Sequence, residues 1–217
     1  MRSVSIVVAD DHPVVLHGLI MLLNEDKTFK LVASCANGEQ AIAAIRTLKP
    51  ELALLDMIMP SPNGLQILKT VIAENLPTRV SFLAASPSDK EIVAATAGGA
   101  YGIMLKESAP DALLSCLHAV AAGQKWLPAD LVDGALERTQ QHRAQIARVE
   151  GLLTHREIEV MLRVADGLSN REVGSQLNIA EGTVKIHLNS IYHKVGLSNR
   201  TSLANFASAY RDRLSAN

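Results

Sequence analysis

Residues 52–64 read LALLDMIMPSPNG. An apolar run of strand length stops at Asp56, and Met-Pro and Gly follow within eight residues. Such a run, bounded by turn residues, reads as a buried strand and the loop that leaves it. A carboxylate at the tip of a buried strand loses hydration, which is unfavourable unless something nearby holds the charge. The rest of the chain shows what that is.

Working outward, strand-like and helix-like segments alternate as far as residue 122. The spacing predicts strands over 4–9, 31–34, 52–55, 80–84 and 103–105. It predicts helices over 14–23, 41–48, 65–72, 91–97 and 110–122, the last with Ser108 as its N-cap. Five strands alternating with five helices imply a parallel sheet covered on both faces, with ligands at the carboxyl ends of the strands. Residues 124–150 differ. They contain ALERTQQHRAQIARVEG, which is polar and helix-prone, and read as a partly helical linker. The last 67 residues, 151–217, show no strand pattern. They give four short helical segments separated by Gly167, Asn178 and Gly196–Ser198.

Composition sets the outer limits. The chain has 217 residues, 48% of them hydrophobic, and a net charge of −1, so any nucleic-acid signal must be local. The two cysteines, Cys35 and Cys116, lack metal-ligand spacing and fit a reducing compartment. The N-terminal apolar run is six residues long and ends at two acids, so neither a signal peptide nor a membrane span is expected there. A cytoplasmic protein without a membrane partner is expected.

Asp10 and Asp11 follow the first strand, which should neighbour the third, so they should converge with Asp56. Three carboxylates in one place repel each other unless a cation is present. Oxygen ligands favour a hard ion, and Mg2+ accepts one or two carboxylates while keeping several waters. Lys106 ends the fifth strand and would bring a positive charge to the same rim. A carboxylate, a bound Mg2+ and a lysine together could accept a phosphoryl group.

ADDHPVV, LLDMIMPSPNG and the lysine of YGIMLKES, at these spacings, resemble the receiver domain of bacterial response regulators over residues 1–123. The resemblance implies a flavodoxin-like fold. It makes Asp56 the phosphoacceptor, with Asp10, Asp11, Asp56 and the backbone carbonyl of Ile58 around Mg2+. Lys106 would contact the phosphoryl group, and a partner histidine kinase would supply it. Two positions depart from the family pattern. Ala84 stands where receivers carry Thr or Ser, and Ile103 stands where they carry Tyr or Phe. Ser86 lies two residues past Ala84. Tyr101 lies two before Ile103 and, by strand alternation, on the same face. A lost hydrogen bond to a charged group is worth roughly 1.5–3 kcal/mol, comparable with a whole allosteric coupling of roughly 1–3 kcal/mol. An atypical switch is therefore expected.

In the C-terminal part, Thr154 and Glu157 form a capping-box pattern, and Ser169 or Asn170 caps a second helix. A tight turn at 178–180 leads into a third helix over 181–195, which makes a helix-turn-helix. Val184, Leu188, Ile191 and Val195 form its inward stripe, leaving Thr183, Lys185, Ile186, Asn189 and Lys194 on other faces. Lys185 can donate to guanine or phosphate, Asn189 can pair with adenine, and Ile186 can touch a thymine methyl. Lys194, Arg200, Arg211 and Arg213 give a local positive excess. LTHREIEV, GLSNREV and EGTVKIHLNSIYHKVGLSNR resemble the LuxR-type helix-turn-helix. That resemblance makes Lys185, Ile186 and Asn189 base-facing, and Asn170, Arg171, Thr183 and Lys194 backbone-facing. It places a dimer contact on the last helix at Leu203 or Ala207. Gly174 replaces the usual alanine and costs helix stability on the order of 1 kcal/mol.

A receiver followed by a LuxR-type domain is the arrangement of NarL/FixJ-type response regulators. That implies a transcription factor that binds DNA as a homodimer and would meet RNA polymerase. Two other classes compete. A phosphatase with an aspartyl-phosphate intermediate needs a second acid where Ile58 stands, so an enzyme is not expected. A receiver-like domain that no longer takes phosphate would bind DNA constitutively; Ala84 and Ile103 favour it, and the four site residues oppose it.

Overall fold

The structure, a computed structural model, describes residues 3–214, with side chains throughout except at 142, 143, 145–150 and 212–214. Arg213 therefore falls outside the described side chains. The chain divides into two compact units, Met1–Thr139 and Gln140–Asn217. Among the described residues no helix is long and apolar enough to cross a membrane.

The first unit is a five-stranded parallel sheet: β1 (Val4–Ala9), β2 (Phe29–Cys35), β3 (Leu52–Asp56), β4 (Arg79–Ala84) and β5 (Gly102–Leu105). The strand order is β2-β1-β3-β4-β5. The helices between and after them are α1 (Pro13–Glu25), α2 (Gly38–Leu48), α3 (Gly64–Ala73), α4 (Asp89–Ala97) and α5 (Pro110–Ala121). Every residue of β3 is buried, as a central strand covered on both faces requires. Ala53 and Leu55 face one layer with Ile45, Ile67, Phe82, Ala84 and Ile103. Leu52 and Leu54 face the other, with Leu19, Leu23, Leu113, Cys116 and Leu117.

Local chemistry fixes the element ends. Asn63 and Ser88 cap α3 and α4 in complete capping boxes with Gln66 and Glu91. The expected Ser108 cap of α5 is not made. Ala109 is the N-cap and makes no side-chain bond, because Pro110, with its fixed φ, already supplies the first helical residue. Ser108 instead closes a turn, its N–H donating to the Leu105 carbonyl at 3.0 Å.

Tyr101 does not share a face with Ile103. It packs with the α1–α5 layer, while Ile103 is fully buried in the opposite one. Alternation holds only within a strand, and Tyr101 lies in the bend before β5. There the Arg79 guanidinium sits 5.9 Å from its ring centroid.

The segment read as a linker is one long helix, α6 (Ala129–Glu150). Its first turns belong to the sheet unit: Val132 and Ala135 are buried in the same layer as Ile103, with Leu131 and Leu136 packed around them. Arg138 pairs with Asp89 of α4 at 2.7 Å. Just before α6, Trp126 bridges β5 in parallel, accepting from the Ile103 N–H at 3.0 Å and donating to the Tyr101 carbonyl at 2.7 Å. This covers part of an otherwise open sheet edge.

The second unit holds α7 (His155–Ala165), α8 (Asn170–Leu177), α9 (Glu181–Val195) and α10 (Arg200–Leu214). Val160, Met161, Val173, Val184, Leu188, Ile191 and Phe206 are among the residues that form its core. The expected inward stripe of α9 is fully realised in that cluster.

Candidate functional site

The carboxyl ends of β1 and β3 bring Asp10, Asp11 and Asp56 together. Pairing of Ala9 with Leu55 across β1 and β3 sets the strand ends level. Asp56 is 3% exposed and Asp10 is 1% exposed. Lys106, just past β5, places its Nζ 2.8 Å from Asp56 Oδ2 and 2.7 Å from Asp10 Oδ2. It is held there because its backbone N–H donates to the Ala84 carbonyl at 2.8 Å. Gly64 makes the loop after Asp56 possible. A Cβ at this position would lie 2.5 Å from the Asp56 carbonyl oxygen and 2.9 Å from the Phe82 ring.

Electrostatics follow from burial. Loss of hydration raises the Asp56 pKa; the Lys106 ammonium and the Ile58 N–H, which donates to Asp56 Oδ1 at 3.2 Å, oppose that rise without cancelling it. Burial also works against the Lys106 charge, but its bonds to Asp10 and Asp56 outweigh it and hold the ammonium above its ordinary range. The pocket is a desolvated carboxylate with one fixed cation beside it.

His12 belongs to the same cluster, and the sequence reading passed over it. Its Nδ1 lies 2.9 Å from Asp11 Oδ1, 3.2 Å from Asp10 Oδ1 and 3.9 Å from Asp56 Oδ2. One ligand atom from each of Asp10, Asp11, His12 and Asp56 falls within a 4.8 Å set, a donor group suited to a divalent cation. The signal was its place directly after the acid pair. Ile58 is 55% exposed beside the pocket.

The two departures are visible in the geometry. Ala84 is buried at the end of β4, opposite Leu105. Ser86 lies exposed in the following bend. Ile103 is fully enclosed.

The second unit presents a different surface. Ser169 caps α8 in a capping box with Glu172, which decides between the two expected caps. Asn178, with a left-handed φ of 55°, ends α8 and starts the turn into α9. Gly174 is needed there: a Cβ would lie 2.7 Å from the Ile179 carbonyl oxygen. The expected helix-propensity penalty is thus the cost of a close backbone approach. On α9, Lys185, Ile186 and Asn189 are exposed, Ile186 by 69%. Thr183 and Asn170 are half-buried and Arg171 is exposed. Ala180, the N-cap of α9, makes no side-chain bond, unlike the caps of α7 and α8. The first turn of α9 therefore has no side-chain acceptor at its cap, and the Thr183 N–H instead donates to the Ala180 carbonyl at 2.9 Å.

Two expected contacts take other places. Lys194 binds Glu157, at 2.9 and 2.8 Å from its two carboxylate oxygens. Glu157 is 4% exposed and also accepts from Ser190. Burial alone would raise its pKa, but the bonds from Lys194, Ser190 and Thr154 bring it down to about 2. Lys194 is thereby committed to the protein's own fold. Leu203 and Ala207 are fully buried in the helical core, so neither can carry a dimer contact. The exposed positions of α10 lie one or two residues from these, at Thr201, Asn205 and Ser208.

Residues 6–118 match the response regulator receiver domain model, and residues 151–207 match the model for bacterial regulatory proteins of the luxR family. The chain belongs to the response regulators of two-component systems that carry a LuxR-type DNA-binding domain. It is 34% identical over 200 residues to the nitrate/nitrite response regulator protein NarL of Escherichia coli, covering 92% of this chain and 93% of that one. It is 34% identical over 213 residues to a probable transcriptional regulatory protein NarL of Mycobacterium tuberculosis, covering 98% and 96%. Among solved structures it resembles the response regulator ChrA of a heme-sensing two-component system. That match has a TM-score of 0.57 at 31% identity, over 97% of this chain and 99% of the other.

Proposed function

We propose that this protein is a phosphorylation-controlled transcription regulator that takes a phosphoryl group from a histidine kinase on Asp56. The observation that carries the proposal is the buried Asp56 carboxylate with the Lys106 ammonium at 2.8 Å. An Asp56 oxygen attacks phosphorus, the P–N bond of the kinase's phosphohistidine breaks, and the imidazole leaves. Lys106 stays beside the new aspartyl phosphate and neutralises part of its charge. Mg2+, held by Asp10, Asp11, Asp56 and the Ile58 carbonyl, would neutralise the remaining phosphoryl oxygens. The protein's groups fit that ion, because three carboxylates converge within its reach.

In this reading the output is reached without the usual hydroxyl and aromatic switch. Ala84 has no group to bond a phosphoryl oxygen, and Ile103 is already enclosed. Lys185, Ile186 and Asn189 enter the major groove, while Thr183, Asn170 and Arg171 meet the sugar-phosphate backbone. The protein binds two half-sites as a homodimer through the exposed face of α10, in the cytoplasm, where RNA polymerase is a further partner. It acts as a regulator and not as an enzyme.

The test is phosphate-affinity electrophoresis of wild type and Asp56→Ala after treatment with acetyl phosphate. A retarded band in the wild type alone supports the proposal. Identical migration favours the second reading, for which Ala84 and Ile103 speak: a receiver-like domain that binds DNA without phosphorylation.

A further inference from the structure

Residues 119–150 fall between the two matched domains, yet the first turns of α6 are built into the sheet unit. Val132 and Ala135 are buried in the layer that holds Ala84 and Ile103, the two positions that depart from the receiver pattern. Trp126, just ahead of α6, is bonded to β5 at Tyr101 and Ile103. Where this docked stretch ends, Arg138 reaches across to α4. Its Nε lies 2.8 Å from Asp89 Oδ2 and its Nη2 lies 2.7 Å from Asp89 Oδ1, a two-point fork. Gly134, one turn earlier, clears the path, because a Cβ there would lie 3.0 Å from Arg138 Nη1. The next residue, Thr139, closes the sheet unit.

Asp89 is the first residue of α4, after the Ser88 cap. The short loop before it, 85–88, leaves β4 at Ala84, whose carbonyl accepts from the Lys106 N–H at 2.8 Å. The Lys106 ammonium is in turn 2.8 Å from Asp56. The loop is thus tied to the acidic pocket at one end and to α6 at the other. A phosphoryl group on Asp56 would present new anionic oxygens to Lys106, draw the ammonium from its present place and pull on the tie at Ala84. A guanidinium fork meets a carboxylate in one planar arrangement, so a displaced Asp89 breaks it or forces Arg138 to follow. Resting on the reading of Asp56 as the phosphoacceptor, we infer that the Asp89–Arg138 clamp is the contact through which the pocket governs the docking of α6. It takes the place of the hydroxyl and aromatic pair missing at Ala84 and Ile103. The clamp itself is a weak support for the fold, since exposed ion pairs contribute little, and apolar burial at Val132 and Ala135 holds the helix. Its removal should therefore spare the structure and abolish the coupling.

The experiment uses the full chain, with Mg2+ and beryllofluoride as the phosphoryl mimic. Calorimetry reads binding of the mimic, and amide hydrogen exchange reads protection of residues 129–139. Both are measured on wild type, Asp89→Ala, Arg138→Ala and the double variant. Arg46→Ala, which removes an exposed pair between α2 and the end of α3, is the control. In the wild type the mimic should change protection across 129–139 by about tenfold or more, the size of an ordinary allosteric coupling. Each single variant should bind the mimic yet respond less than about threefold, and the double variant should match the singles, as members of one pair do. Arg46→Ala should respond as the wild type does. A full response in Asp89→Ala and Arg138→Ala, or an equal loss in Arg46→Ala, would overturn the inference and leave the phosphoacceptor reading intact. So would unchanged protection in a wild type that binds the mimic. Failure of the wild type to bind it at all would overturn the inference together with that reading.

Discussion

At the scale of single residues, Gly174 makes the most exposed prediction. Helix propensity alone says that Gly174→Ala should stabilise α8 by about 1 kcal/mol. The structure says the opposite, because the added Cβ would meet the Ile179 carbonyl oxygen at 2.7 Å and backbone cannot step aside cheaply. Overpacking of this kind costs roughly 1–3 kcal/mol. Thermal unfolding of Gly174→Ala should show the C-terminal unit melting several degrees below wild type. A rise in melting temperature would mean that the turn relaxes to accept the methyl group. Gly64 follows the same logic beside Asp56, and there the strain would act on the pocket. Side-chain identity at both positions is set by a neighbour several residues away along the chain, not by local preference.

At the scale of elements, Glu157 ties α7 to α9 through Ser190 and Lys194. Its pKa falls from the ordinary 4.5 to about 2 in the folded protein. A depressed carboxyl pKa stabilises the fold above the unfolded value and loses that contribution as pH drops through the folded one. The difference is worth roughly 3 kcal/mol, lost between about pH 4.5 and pH 2. Glu157→Gln should flatten the acid-unfolding profile of the C-terminal unit across that window and lower its stability at neutral pH. The same contact separates two kinds of lysine. Lys185→Ala should leave stability nearly unchanged, weaken DNA binding and reduce the slope of log affinity against log salt by about 1. Lys194→Ala should destabilise the unit, because it leaves Glu157 charged, buried and short of its partner. Equal stability of the two variants would contradict this division. The Lys185–Glu181 pair at 2.9 Å is an exposed helical neighbour contact that water screens, so its loss leaves stability nearly unchanged.

At the scale of the whole molecule, the sheet unit extends past the point where strand–helix alternation stops. The compact unit ends at Thr139, inside α6. The reason is apolar: Val132 and Ala135 bury themselves beside Ile92, Ala95 and Ile103, and Trp126 holds the edge of β5. Burying a side chain such as Val or Leu is worth roughly 1.5–3 kcal/mol. A fragment of residues 1–139 should therefore unfold at least 10 °C above a fragment of residues 1–123, as read by circular dichroism. Equal melting temperatures would show that α6 adds nothing to the receiver. Charge at this scale explains little: the net −1 hides a C-terminal surface where Lys185 and Arg171 stand exposed.

Periodicity and punctuation were enough, without any structure, to place the five strands and nine of the ten helices of the described residues near their positions, because these depend on neighbours a few residues apart. Asp56 at a strand tip, the capping boxes at Thr154 and Ser169, and the inward stripe of α9 are local patterns of this kind. Alternation also put Asp10 and Asp11 at the end of the neighbouring strand. Distances across the fold were decided elsewhere. The approach of His12 to three carboxylates, the burial of Leu203 and Ala207, the opposite facing of Tyr101 and the capture of Lys194 by Glu157 each depend on how separate elements meet. Packing sets those outcomes, through close contact and exclusion of water, and no window of sequence contains both partners.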